Sequence, residues 1–124
     1  MTQYGPHPVE RQLPTEEARD LMALVRELVQ REIKPAASEE EFAGRFPRET
    51  FRLLSASGLL GLPYAEEHGG GGQPYEVYLQ VLEELAAARL TVGLGVSVHS
   101  LACHALATFG TKEQRAEHLP GMLG

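Results

Sequence analysis

From Leu90 to Thr111 the chain carries no Asp, Glu, Lys or Arg. No other feature restricts the fold as much. The stretch reaches the ~20 residues that a bilayer crossing requires. Ser97, His99, Ser100 and His104, with Gly93 and Gly95, dilute its apolarity, and no Lys or Arg cluster flanks it. No membrane span is therefore expected, and the stretch reads as a core helix over about Val92 to Thr108. A surface helix keeps a polar face, and this one has none with charge. A small domain has little material to cover one helix on all sides. Part of the helix therefore faces another domain, another subunit or an apolar ligand.

The flanking sequence is helical too. Pro6, Pro8 and Pro14 give residues 1–14 the character of an extended tail. Thr15 is an N-cap, with Glu16 and Glu17 where the helix dipole favours acids. Ala18, Leu21, Met22, Val25, Leu28, Val29 and Ile33 then recur at helical spacing. That helix runs to Lys34, where Pro35 ends or kinks it, and Ala36 to Ala43 can continue beyond the kink. A second helix begins near Pro47 with Phe51, Leu53 and Leu54 on its apolar face, and Gly58 closes it. Leu59, Leu60 and Leu62 plug the core. The run Gly69–Gly72 is an interhelical turn, tight and flexible. Pro74 restarts a helix whose stripe is Tyr75, Tyr78, Leu82, Leu85 and Ala86, with Val81 beside them. After a break near Arg89 to Thr91 comes the uncharged helix. Thr111 and Gln114 then form a capping box for a short last helix to Leu123. No alternating run is long enough for a strand. The fold class is all-α, a bundle of about five helices, with residues 15–124 as the helical domain.

Composition excludes several functions. Lys plus Arg is 11 against 17 for Asp plus Glu, a net charge of −6 with no basic run, which argues against nucleic acid. One Cys excludes a disulfide framework and a Cys-based zinc site. The early acids and the lack of an apolar run near the N-terminus leave no targeting signal, so a reducing, cytoplasmic setting is expected.

Candidate chemistry is sparse. The glycine run follows no strand and leads into Gln73-Pro74, so it matches neither nucleotide-binding fingerprint. His99 and Cys103, at i and i+4, share a helix with His104, but no acid lies there to orient an imidazole or complete a metal shell. A buried thiol and packing histidines are the reading. Among the paired carboxylates, Glu84 borders its helix's apolar stripe and is partly buried, without the marks of a base. Gly93 and Gly95 each cost about 1 kcal/mol relative to Ala within a helix, which implies a close approach by a ligand or another backbone. Leu94, Ser97, Val98 and Leu101 share one face, suited to lining an acyl-sized groove with Ser97 as its polar point; ordinary interface packing is the competing reading.

Phe46-Pro47-Arg48-Glu49, Gly58-Leu59, Gly61-Leu62-Pro63 and Glu67-His68-Gly69-Gly70 with Gly72 stand in the first half. Glu83-Glu84-Leu85-Ala86, Ser97-Val98-His99-Ser100, Phe109-Gly110-Thr111 with Gln114, and Leu119-Pro120 stand in the second. In this order they resemble the N-terminal helical domain of the acyl-CoA dehydrogenase family, over about Leu13 to Gly124. The resemblance implies an FAD enzyme that oxidises the Cα–Cβ bond of an acyl-CoA thioester. It implies that a glutamate takes the α-proton, FAD takes the β-hydride, and an electron-transfer flavoprotein collects the electrons. It implies a homo-oligomer, and it places pocket-lining positions on Gly93, Leu94 and Ser97. The family's middle β-domain and C-terminal helical bundle are absent from these residues, along with the catalytic glutamate and most of the FAD site. The chain is thus expected to be the first domain of such an enzyme, with no catalytic residue, poor FAD binding and no turnover by itself. The alternatives are a stand-alone helical module that binds a lipid or partner helix, or the first domain of a related flavin oxidase or monooxygenase.

Overall fold

Thr15 opens the first helix as its chemistry dictates. Its Oγ1 accepts the Ala18 amide at 3.0 Å, and Glu16 and Glu17 occupy the positive first turn of α1, Glu16–Leu28. The computed structural model describes residues 10–124; the expected tail over 1–14 lies outside the described residues as far as residue 9, and 10–13 have no regular structure. Ala18, Met22 and Val25 bury one stripe of α1, as their spacing predicts.

Pro35 does not end the helical run. It lacks the N–H that would donate to Arg31, and its ring crowds that carbonyl. The backbone widens ahead of it into a π-helical turn, Val29–Ile33, where the Lys34 amide donates to the Val29 carbonyl. Helix α2, Lys34–Ala43, then continues with Pro35 in its first turn. Counting this run as one rod, the described residues form five helical rods and no strand. Helix α3 spans Arg48–Ala56, α4 Tyr75–Ala88, α5 Leu90–Phe109 and α6 Lys112–Leu123.

The connections are tightly bonded. Past α3, Gly58 adopts φ +74°, its amide donates to Ser55 at 3.0 Å, and the Leu59 amide donates to Leu54 at 2.9 Å. This closure turns Leu59 and Leu62 into the core. The glycine run is tight, and hydrogen bonds fix it. The amides of Gly71, Gly72 and Gln73 donate to Gly61, Tyr64 and Leu62 at 2.9, 2.8 and 2.8 Å. A Cβ at Gly70 would sit 2.2 Å from the Tyr64 carbonyl oxygen, so only glycine passes there. The capping box at α6 forms in both directions between Thr111 and Gln114.

The main core joins α1, the π turn, α3, α4 and the first half of α5 around Met22, Ile33, Leu54, Leu85 and Val96. A smaller cluster of Cys103, Leu119 and Leu123 seats α6 on the second half of α5. In α4 the buried residues are Val77, Tyr78, Val81 and Leu85, while Tyr75 is exposed. The expected stripe is thus rotated. Helix α4 is packed by α1 on one side and α5 on the other. That contact draws Val77 and Val81 inward and leaves Tyr75 at the rim.

Glu84 is partly buried, as its position beside the stripe predicts, and it ties the N-terminal segment to the bundle. It accepts from Arg26 Nε at 2.9 Å and from Arg11 Nε at 3.1 Å. Burial pushes its pKa up, but the hydrogen bonds from Arg26 and Arg11 outweigh this and hold it below the ordinary glutamate value. A group with a lowered folded pKa stabilises above its unfolded pKa and loses that contribution as pH falls through the folded one. Glu84→Gln is therefore expected to cost about 1 kcal/mol at pH 7. In urea titrations the difference from wild type should shrink on acidification below the glutamate range. A difference independent of pH would remove this account.

Candidate functional site

Helix α5 carries a long uncovered apolar stripe. Its buried residues, Val92, Gly93, Val96, Ser100 and Cys103, face the other helices. Leu94, Val98 and Leu101 are 60%, 58% and 69% exposed, and Leu90 and Phe109 extend the uncovered stripe to both ends. The helix is long and apolar enough to cross a membrane by length and composition. It is packed on one side into a helical core and bare on the other.

Beside this stripe, α4, α5 and Tyr64 enclose a groove of about 430 Å3. Val98 and Leu101 of α5 face Leu79 and Leu82 of α4 along its apolar length. Ser97, Ser100, His104 and the phenols of Tyr64, Tyr75 and Tyr78 supply its polar points. The Tyr64 hydroxyl donates to the Ser100 carbonyl oxygen at 2.5 Å and lies 3.1 Å from the Ser100 hydroxyl. Burial raises the pKa of Tyr64 and of Tyr78, so both phenols stay neutral. No carboxylate, Lys or Arg lines the groove, and His104 is its one imidazole. It can hold an apolar chain and donate or accept a few hydrogen bonds, but none of its groups is a carboxylate base.

The three positions singled out in the sequence part company. Ser97 lines the groove. Leu94 stands exposed on the stripe and not among the lining residues. Gly93 faces α4: a Cβ there would lie 2.5 Å from the Ala86 Cβ and 2.8 Å from the Ala86 Cα. Gly95 makes room for the Phe51 ring, whose Cζ would lie 2.3 Å from an added Cβ. The close approaches that both glycines imply are met inside this chain. Ser97 is also one polar point among several, because Tyr64, Tyr75, Tyr78, Ser100 and His104 come from three separated segments. In the sequence Ser100 and His104 show only as polar interruptions of the uncharged helix, and the tyrosines lie outside it.

Other candidates resolve into packing. His99 Nε2 pairs with the Met122 carbonyl oxygen at 2.6 Å, which fastens α6 to α5. Cys103 is fully buried, and burial raises its thiol pKa, so it is no nucleophile. No group of three or more potential metal ligands occurs among the described residues.

A family profile described as the acyl-CoA dehydrogenase N-terminal domain matches residues 15–124. The short-chain specific acyl-CoA dehydrogenase of Clostridium acetobutylicum is 34% identical over 106 residues, covering 85% of this chain and 28% of that protein. The mitochondrial long-chain specific acyl-CoA dehydrogenase of Mus musculus is 38% identical over 99 residues, covering 79% of this chain and 23% of that one. The crystal structure of glutaryl-CoA dehydrogenase from Mycobacterium smegmatis superposes with a TM-score of 0.82 at 34% identity, over 90% of this chain and 29% of that chain. The chain thus spans under a third of the length of each of these proteins.

Proposed function

The chain belongs to the acyl-CoA dehydrogenase family, as its N-terminal helical domain, and on that premise we propose that it forms one wall of the acyl site in an enzyme that dehydrogenates an acyl-CoA thioester. The observation that carries this reading is the groove between α4 and α5, apolar along its length and lined by no Asp, Glu, Lys or Arg. A desolvated charge would repel an alkyl chain, and a groove without one accepts it. Ser97 and Leu94 are the proposed specificity positions, Ser97 inside the groove and Leu94 on the stripe that continues it. Gly93 acts indirectly, by setting how close α5 lies to α4.

The proposed cofactor of the complete enzyme is FAD, and the described residues do not fit its site. The amides of Gly69, Gly70, Gly71 and Gly72 donate to Glu66, Ala65, Gly61 and Tyr64, which leaves none for a pyrophosphate. No carboxylate lines the groove to take an α-proton. The catalytic glutamate, the flavin site, the docking of an electron-transfer flavoprotein and the homo-oligomer contacts are accordingly assigned to the rest of the enzyme. The self-sufficient lipid- or helix-binding module is not favoured, since the family match runs through residues 15–124.

The test is a chimaera. Residues 15–124 replace the matching first domain of the Clostridium acetobutylicum short-chain enzyme, and acyl-CoA dehydrogenation is measured across chain lengths. A yellow, active chimaera is expected. Within it, Ser97→Phe should lower kcat/KM for the longer substrates by about tenfold or more, since a ring fills groove volume. Leu94→Phe should shift chain-length preference less. A folded, flavin-loaded chimaera without turnover would overturn the proposal.

A further inference from the structure

The groove between α4 and α5 has two unlike ends, and the register of the helices sets them. Gly93 lies against Ala86, so the two helices leave the one-residue link at Arg89 side by side and in opposite directions. That register sets Leu82 against Ser97 near the link, and Tyr75 against His104 about 10 Å further along α5 at a rise of ~1.5 Å per residue. Leu82 and Val98 line the near end, which opens onto the exposed Leu94 stripe. Tyr64, Tyr75, Tyr78, Ser100 and His104 line the far end. Tyr78 is 3% exposed and Ser100 7%, so two of these polar side chains are withdrawn from water. The Tyr64 hydroxyl donates its proton to the Ser100 carbonyl oxygen and lies 3.1 Å from the Ser100 hydroxyl. That same hydroxyl is the polar neighbour of the Tyr78 phenol. Ser100 has one proton to give and cannot donate to both phenols, so one phenol oxygen at this end keeps an unfilled acceptor.

Resting on the acyl-wall reading, we propose that the acyl group taken here carries a hydroxyl at its distal end, seated among Tyr64, Tyr78 and Ser100, with its methylenes along Leu82 and Val98. The chain enters past Leu94, where the groove is open, and its tip meets the tyrosines. A plain alkyl tip would strip water from these groups and return no hydrogen bond. A hydroxyl returns the bond and donates where a phenol oxygen is unfilled, whereas a keto oxygen only accepts. A carboxylate tip would find no Lys or Arg in the groove, and an ammonium tip no acid. Tyr78 thereby acquires a role in specificity, although its spacing in the sequence marks it only as part of an apolar stripe.

The same chimaera tests this, with its unaltered Clostridium acetobutylicum parent as reference. The readout is the ratio of kcat/KM for an ω-hydroxyacyl-CoA to that for the plain acyl-CoA of equal length, across a series of chain lengths. At the length that brings the hydroxyl to Tyr78, the chimaera's ratio is expected to exceed the parent's by about tenfold. Tyr78→Phe keeps the ring that packs the core and removes only the oxygen, and it should lower the ratio by about tenfold. Ser100→Ala deletes the hydroxyl that both phenols approach and should lower it as well. An active chimaera whose ratio equals the parent's at every length, or whose ratio survives both substitutions, would overturn this inference and leave the acyl-wall reading standing. A folded, flavin-loaded chimaera that turns over neither substrate would remove the acyl-wall reading, and this inference with it.

Discussion

Arg89→Ala is expected to lower the unfolding free energy by about 3 kcal/mol, the scale for removing one partner of a buried ion pair. Arg89 is the one-residue link between α4 and α5, extended at φ −157° and ψ 110°. Its side chain is only 3% exposed. The guanidinium donates to Glu40 of α2 and, at 3.4 Å, to the Arg45 carbonyl oxygen, and its Nε lies 4.0 Å from Glu41. One residue thereby holds the α4–α5 corner against the end of α2. Alanine removes the fork, leaves Glu40 without its cation and opens a void where the side chain ran. Arg89→Lys should recover only part of the loss, since an ammonium cannot bridge a carboxylate and a carbonyl with fork geometry. The control is Arg52→Ala, which breaks an exposed pair with Glu49 and should stay within about 0.5 kcal/mol of wild type. Urea denaturation measures all three. An Arg89→Ala loss no larger than that of the control would show that the clamp does not form.

Gly93→Leu should be nearly as damaging, at about 3 kcal/mol, because overpacking here meets backbone. An added Cβ would lie 2.8 Å from the Ala86 Cα and 3.0 Å from its amide nitrogen, so α4 and α5 must separate. Propensity runs the other way. Gly→Ala inside a helix normally stabilises by about 1 kcal/mol, yet Gly93→Ala should destabilise, and Ala86→Gly in the same chain should restore part of the loss. A full propensity gain from Gly93→Ala alone would refute the close approach. At Gly95 the obstacle is the tip of the Phe51 ring, which can swing aside, so Gly95→Ala is expected to cost less. The two substitutions separate a helix–helix contact from a ring contact, though both glycines look alike in the sequence.

That contrast marks how far the chain can be read. Helix α1 was legible because Ala18, Met22 and Val25 declare one face at a fixed period and Thr15 caps it locally. The Thr111–Gln114 box is just as local. Beyond Pro35 the helix continues through Ala36 to Ala43 as read, but the π turn ahead of the proline was not foreseen, because it is a backbone adjustment with no residue signature of its own. The phase of α4 was misjudged at Tyr75, because the width of its buried arc depends on both helices that pack against it. The Arg89 clamp was invisible, since its partners lie 49 and 44 residues away and every charged residue looks alike without a fold. In the groove, Ser97 was foreseen and the tyrosines were not.

By itself the sequence determined the helical class, most of the caps and the uncharged span of α5, because these depend on periodicity and on side chains bonding their own turns. Only the tertiary structure decided which side of α5 is covered, what Gly93 and Gly95 make room for, and which tyrosines meet Ser97. Those outcomes depend on distances between segments far apart in the chain, and no local pattern encodes such distances.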